Sequence, residues 1–326
     1  MDDLELAIAA RGGFVFRSDL LGLGWTDRAI GQARRAKMLV RLRVGTYTTP
    51  AVLASSSPED RHLLLARSVL AKFPEGSVAL SHHSAAIAHG LATWAVDLTT
   101  VHVVRLDPGS GRAESAVHHH RNIAGLGFVE TPSGLLAVEP AHATFQVACA
   151  GDVRGALVVL DSALNRELAV REELADISGR FRGWTGSRQA RFVLRRADPG
   201  AQTAAESLLR QTCFEASMPV PVTQFPIVED GEVFAWTDVA WPEHRHIGEV
   251  DGQRKYWRDL RPGEDASDVV VREKHREDRI RGLSFGVSRA TAHEVRPGQS
   301  HDTGLRWSYE LARSRQLHER ARRHLV

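Results

Sequence analysis

One stretch, Glu232 to Tyr256 (EVFAWTDVAWPEHRHIGEVDGQRKY), constrains the chain more than any other. Its apolar residues alternate with period 2 on either side of Pro242-Glu243-His244-Arg245, which predicts two strands joined by a tight turn. A turn centred on Glu243 and His244 sets Asp238 directly across from Glu249. Two carboxylates facing each other across a ladder repel, so the pairing predicts a cation between them. Asp251 lies two residues beyond Glu249 and shares its face of the sheet. Three carboxylates on one face, followed by Lys255, suit a hard divalent ion such as Mg²⁺ or Mn²⁺ and the chemistry of phosphodiester hydrolysis.

The 326 residues exceed one ordinary domain, and three are expected: 1–50, 51–185 and 186–326. With 43% hydrophobic and 25% charged residues, the chain reads as globular. No apolar run approaches the roughly 20 residues that a membrane-spanning helix needs. The acidic start, MDDLELAIAARGG, is unlike a secretory signal. Two cysteines, Cys149 and Cys213, cannot make a disulfide framework, and both fall in apolar helical contexts. Buried thiols in a reducing cytoplasm are the expectation. A net charge of +2 decides nothing about nucleic acid by itself, because the distribution matters more than the sum.

Over residues 1–50 the pattern predicts helices at Asp3–Ala10, at Arg17–Leu21 and from a Thr26 cap to about Lys37. A strand at Met38–Leu42 and a return at Thr46–Thr48 follow. Three short helices and a hairpin in this order describe a winged helix-turn-helix. Arg28, Gln32 and Arg35 fall at i, i+4 and i+7 on its third helix, placed to enter a DNA groove, with Arg43 on the wing near phosphate. The stretch RGGFVFRSDLLGLGWTDRAIGQARRAKMLVRLRVGTYTTP resembles the N-terminal domain of AbiEi-type antitoxins of bacterial abortive-infection systems.

Residues 51–185 predict an α+β arrangement: helices opening at Pro58, Ser81 and Pro140, and at Arg154–Asn165, with strands near 78–80, 100–105, 116–121 and 134–139. Histidines are dense here, at 82, 83, 89, 102 and 118–120. Imidazole suits zinc, but no His-x₃-His or Cys-rich spacing accompanies them, and strand alternation turns His119 away from His118 and His120. Structural or surface histidines are the expectation. The phrases LSHHSAAIAHGL, GLLAVEPAHATFQVACAG and ALVVLDSALN resemble the central region of an actinobacterial group with a winged helix in front and a nuclease-like domain behind.

From 186 onward the order is a helix carrying Glu206, a strand, the hairpin, then a basic helix. Arg272, Arg276 and Arg279 make a stripe on that helix that could hold a phosphate backbone. AAESLLR, TDVAWP, GEVDGQRKY and REKHREDRIRGL together resemble the PD-(D/E)XK nuclease superfamily, in the branch similar to very short patch repair endonucleases. The resemblance implies an α/β sandwich with Asp238 and Glu249 as metal ligands and Glu206 as the helix-borne acid. Two departures stand out: Asp251 replaces the family's lysine, and Thr237 stands where proline is usual. Lys255 has the reach to replace that lysine. The combined expectation is a multidomain α+β, DNA-binding, Mg²⁺- or Mn²⁺-dependent endonuclease. The second reading is a non-catalytic antitoxin or repressor with a degenerate nuclease fold. Both take DNA as partner, and both leave open a homodimer or a partner protein.

Overall fold

The computed structural model describes residues 3–106, 113–114, 116–121, 125–251 and 266–323. It is a mixed α+β chain with three separate sheets. The chain divides into two compact units, one of residues 1–155 with 168–191 and one of residues 156–167 with 192–326. No helix among the described residues is long and apolar enough to cross a membrane.

The first unit opens with α1 (Asp3–Ala10), β1 (Val15–Phe16), α2 (Arg17–Gly22), α3 (Asp27–Arg35), β2 (Val40–Arg43) and β3 (Thr46–Thr48). Thr26 caps α3 as its side chain accepts the Ala29 N–H at 3.2 Å. Leu4, Ile8, Val15, Leu20, Ile30, Ala33, Leu39 and Tyr47 form one core, so each helix contributes an apolar stripe. The strands β1, β3 and β2 make an antiparallel sheet in that order. The two-residue strand β1 is too short to leave a periodic signal in the sequence.

There follow α4 (Pro50–Ala54), α5 (Pro58–Leu70), β4 (Val78–Leu80), α6 (His82–Ala88), β5 (Val101–Arg105), β6 (Ala113–Glu114), β7 (Val117–His120), β8 (Phe128–Glu130), β9 (Leu136–Val138) and α7 (Pro140–Ala150). The six strands lie in the order β6-β7-β5-β4-β9-β8. The pairs β4–β9 and β5–β7 are parallel, whereas β4–β5 is antiparallel. Leu65, Val69, Leu80, Ala85, Val101, Val103, Val117 and Ala137 fill the core between this sheet and its helices. Next come α8 (Val153–Asn165), α9 (Arg171–Arg180) and α10 (Ser187–Leu194).

The second unit is built on α11 (Ala204–Glu215), β10 (Val222–Glu229), β11 (Glu232–Trp241), β12 (His246–Asp251), α12 (Ala266–Gly282), β13 (Gly286–Thr291) and α13 (Ser300–Arg323). The sheet order is β10-β11-β12-β13, antiparallel through β12 and parallel between β12 and β13. The turn between β11 and β12 is a 3-10 turn at Pro242–His244, with Arg245 in the left-handed region at φ 50°. The register Trp241–His246, Ala240–Ile247, Val239–Gly248 is the one expected from the turn centre. Gly248 is required by a close approach, since a Cβ there would lie 2.3 Å from the Trp307 ring. Both cysteines are free thiols. Cys213 is buried and Cys149 partly so, and burial pushes both up to about 12.

Candidate functional site

The β11–β12 ladder runs to the Val239–Gly248 pair, and Asp238 and Glu249 are the next residues along each strand. Beyond that pair, the Val250 N–H donates to Asp238 Oδ2 at 2.8 Å. Glu249 is 7% exposed, and its carboxylate is gripped from two sides. Arg276 of α12 donates to Oε1, and Arg289 of β13, its register partner, reaches Oε2 at 3.1 Å. Arg276 also donates to the Trp236 carbonyl at 3.0 Å, and Arg289 reaches Glu277 at 3.3 Å.

Two guanidiniums thus supply the positive charge that the buried Glu249 carboxylate demands. Among the described residues, Asp238, Glu249 and Asp251 do not join in a group whose ligand atoms lie within one metal's reach. In this arrangement the residues do not fit Mg²⁺, because both Glu249 oxygens are committed to arginine and Asp238 Oδ2 to the Val250 N–H. Asp251 ends β12, paired with Thr291. Lys255 lies outside the described residues.

Glu206 has a different task. Its carboxylate accepts the Gln202 N–H at 2.9 Å and the Thr203 hydroxyl at 2.9 Å, and the Thr203 oxygen accepts the Glu206 N–H at 3.2 Å. Gln224 Nε2 adds a longer contact at 3.4 Å. These bonds satisfy donors at the start of α11, as an acidic residue in a first helical turn commonly does. Two arginines of the α12 stripe are paired: Arg276 with the buried Glu249, and the exposed Arg279 with Glu229, its guanidinium 4.1 Å from the Phe234 ring centroid. Arg272 is half-buried on the same helix.

In the first unit, Arg28, Gln32 and Arg35 are all exposed on α3, while Ile30 and Ala33 of the same helix are buried. The one acid of its first turn, Asp27, is paired with Arg17 at 2.6 Å. That bond holds the Asp27 carboxyl below its ordinary range. The outward face of α3 is therefore basic. Arg43 ends β2 beside the hairpin and is half-buried.

A third constellation is one the spacing of the sequence did not single out. The neighbouring strands β7 and β5 and the first residue of α6, which follows β4, each deliver one imidazole: His120, His102 and His82. One ligand nitrogen from each lies within 4.8 Å of the other two. His120 Nε2 and His102 Nδ1 are 3.0 Å apart, and the His82 ring stacks on His120 with centroids 3.8 Å apart. His82 adopts φ 49°, rare for a residue with a side chain, and its N–H donates to Gln146 Oε1 at 2.9 Å. Burial, then the neighbouring imidazoles, pushes His102 down to about 3 and His120 down to about 4. The same causes hold His82 well below its ordinary value. All three are neutral at pH 7, the form in which imidazole binds a metal. His119 does turn away, buried beside Phe73 at 5.7 Å. The missed signal is the spacing of His118 and His120, which shows one strand face but not which strand lies beside it.

No protein-family model matches the chain. The uncharacterized protein Rv2248 of Mycobacterium tuberculosis (strain ATCC 25618 / H37Rv) is 29% identical over 264 residues, covering 80% of this chain and 89% of that protein. The uncharacterized protein MT2308 of strain CDC 1551 / Oshkosh gives the same identity and coverage. Among solved structures, the crystal structure of RV2827C protein from Mycobacterium tuberculosis has a TM-score of 0.39 and 23% identity, over 69% of this chain and 84% of that one. The chain is distantly similar to these mycobacterial proteins. Their names assign neither a family nor an activity to it.

Proposed function

We propose that this chain is a DNA-binding protein that reads duplex DNA with α3, and that its second unit is a nuclease-type fold serving as a binding module. The observation that carries the reading is the shared exposed face of Arg28, Gln32 and Arg35, backed by the buried Ile30 and Ala33. Phosphates are met by guanidiniums, and a glutamine amide suits a base edge. The order helix, strand, helix, helix, strand, strand around one small core supports a winged-helix assignment for this segment. The antitoxin resemblance of the same residues points the same way. On this reading the protein acts as a repressor or antitoxin of the AbiEi kind.

A metal-dependent endonuclease is the second reading, favoured by Asp238 and Glu249 standing side by side just past the Val239–Gly248 pair. It requires Glu249 to exchange its two arginines for a cation. Fluorescence anisotropy of the full chain with labelled duplex DNA tests the first reading, and plasmid nicking with Mg²⁺ or Mn²⁺ tests the second. We expect binding at low salt, its loss when Arg28, Gln32 and Arg35 are together changed to alanine, and no metal-dependent nicking. Equal binding by the triple variant would remove α3 as the reader. Nicking abolished by Asp238→Ala and by Glu249→Ala would establish the enzyme instead.

A further inference from the structure

We propose that His82, His102 and His120 form a binding site for a divalent transition metal of the zinc class, independent of the DNA-binding reading. The geometry is close to what such an ion demands. Zinc bound at about 2.0–2.1 Å in a tetrahedron sets its ligand nitrogens roughly 3.3 Å apart. His102 Nδ1 and His120 Nε2 stand 3.0 Å apart already, and the His82 nitrogen is inside the same 4.8 Å group.

Nearby histidines with ordinary structural roles look different. His62 has Leu98 O at 2.9 Å on one ring nitrogen and Ser84 Oγ at 2.9 Å on the other. His89 is tied to the Val138 carbonyl at 2.8 Å. His102 and His120 instead turn ring nitrogens toward each other, a pairing that one N–H···N hydrogen bond satisfies and that a metal ion would replace with both lone pairs as ligands. The His82 ring is held from behind, with Ser81 Oγ 3.2 Å from its Nδ1, the kind of outer contact that fixes ring orientation in metal sites. The His102 backbone is fixed as well: its N–H donates to Ser84 Oγ at 2.9 Å and its carbonyl accepts the Ser81 N–H at 2.9 Å.

Imidazole selects the ion. Nitrogen donors suit zinc, copper, nickel and iron, whereas Mg²⁺ and Ca²⁺ take oxygen. Three nitrogens leave a fourth position for water or an added ligand. A cavity of about 360 Å³ borders His82 and His102, and Asp97 and Asp152 line it. Hydrogen bonds from Thr99 and Thr100 hold the Asp97 carboxyl down to about 2, so it stays ionised and favours a cation nearby.

The test strips the full chain with a chelator, then titrates it with zinc by calorimetry and with cobalt(II) by visible absorption. We expect one saturable equivalent per chain and the intense visible bands of tetrahedral cobalt. His102→Gln and His120→Gln should each weaken zinc binding by more than about 10-fold with unchanged far-UV circular dichroism. Changing the exposed His301 to Gln should leave binding as it is. Absence of a saturable equivalent, or equal affinity in the two cluster variants, would overturn the proposal. If those variants fail to fold, ring NMR of the unaltered protein decides. Zinc-dependent shifts at His82, His102 and His120 sustain the site, and unmoved signals there refute it.

Discussion

Glu249 and Arg289 are register partners on the parallel strands β12 and β13, and Arg289 Nη2 lies 3.1 Å from Glu249 Oε2. Arg276 closes the other oxygen, so the carboxylate sits between two guanidiniums. Charge-assisted bonds of this kind are stronger than neutral ones, and their worth rises as water is excluded.

Replacing Glu249 with glutamine should therefore cost stability, because Arg276 and Arg289 lose a shared counter-charge in a half-buried setting. We expect a loss of about 1–3 kcal/mol by urea denaturation. Millimolar Mg²⁺ should leave the melting temperature of the unaltered protein where it is. A Mg²⁺-dependent rise that disappears in Glu249→Gln would mean that the ion displaces the arginines.

The basic face of α3 makes a prediction that separates backbone contact from base contact. Each guanidinium that neutralises a phosphate contributes about 0.9 to the slope of log affinity against log salt. Arg28→Ala and Arg35→Ala should each flatten that slope by roughly one unit. Gln32 carries no charge and releases no counterion. Its alanine variant should lower affinity for a preferred sequence and leave the slope unchanged. Anisotropy across a salt series distinguishes the two behaviours.

Much of the chain's local structure is legible because its signals are local. Pro140 opens α7, Thr203 caps α11, and the alternation around Pro242 fixes the register of β11 on β12. Glu206 is less legible. Spacing alone gives an acid near a helix start, whereas the Gln202 and Thr203 donors on its carboxylate belong to the folded cap. The partners of the α12 arginines are nonlocal: Glu229 and Glu249 come from strands that no helical periodicity can identify. The histidine cluster is nonlocal in the same sense. His102 and His120 meet because β5 and β7 pair in parallel across a connection whose outcome the sequence pattern leaves unspecified.

His246 makes stability depend on pH. It is 1% exposed, its Nδ1 is 2.8 Å from Ser314 Oγ, and its Nε2 is 2.9 Å from Ser288 Oγ. Burial, then the nearby His244 and Arg281, pushes the ring down to about 4 from an ordinary value of 6.5. The unfolded chain therefore binds a proton that the folded chain refuses between those two values. Stability is fully present above pH 6.5 and declines as pH falls through about 4, by roughly 3 kcal/mol in all. His246→Gln should flatten this part of the profile, measured as urea midpoints between pH 7 and pH 4.

Gly248 and Trp307 test how tightly α13 is fitted to the sheet. The glycine φ is not positive, so its backbone tolerates alanine. The obstacle is space: an added methyl would lie 2.3 Å from Trp307 Cζ3 and 2.9 Å from Val239 Cγ2. Trp307 is 1% exposed, packed edge-on against Trp241 at 6.4 Å, and has no flexible end to give way. Gly248→Ala should cost about 1–3 kcal/mol as an overpacked core does. Trp307→Leu alone should also destabilise, by opening a cavity. In the double variant the smaller side chain makes room for the methyl, so the combined loss should be less than the sum of the two. A coupling of at least about 0.5 kcal/mol in that cycle, measured by urea denaturation, shows that the two residues share one contact. Strict additivity would mean that the strand shifts away from the helix instead.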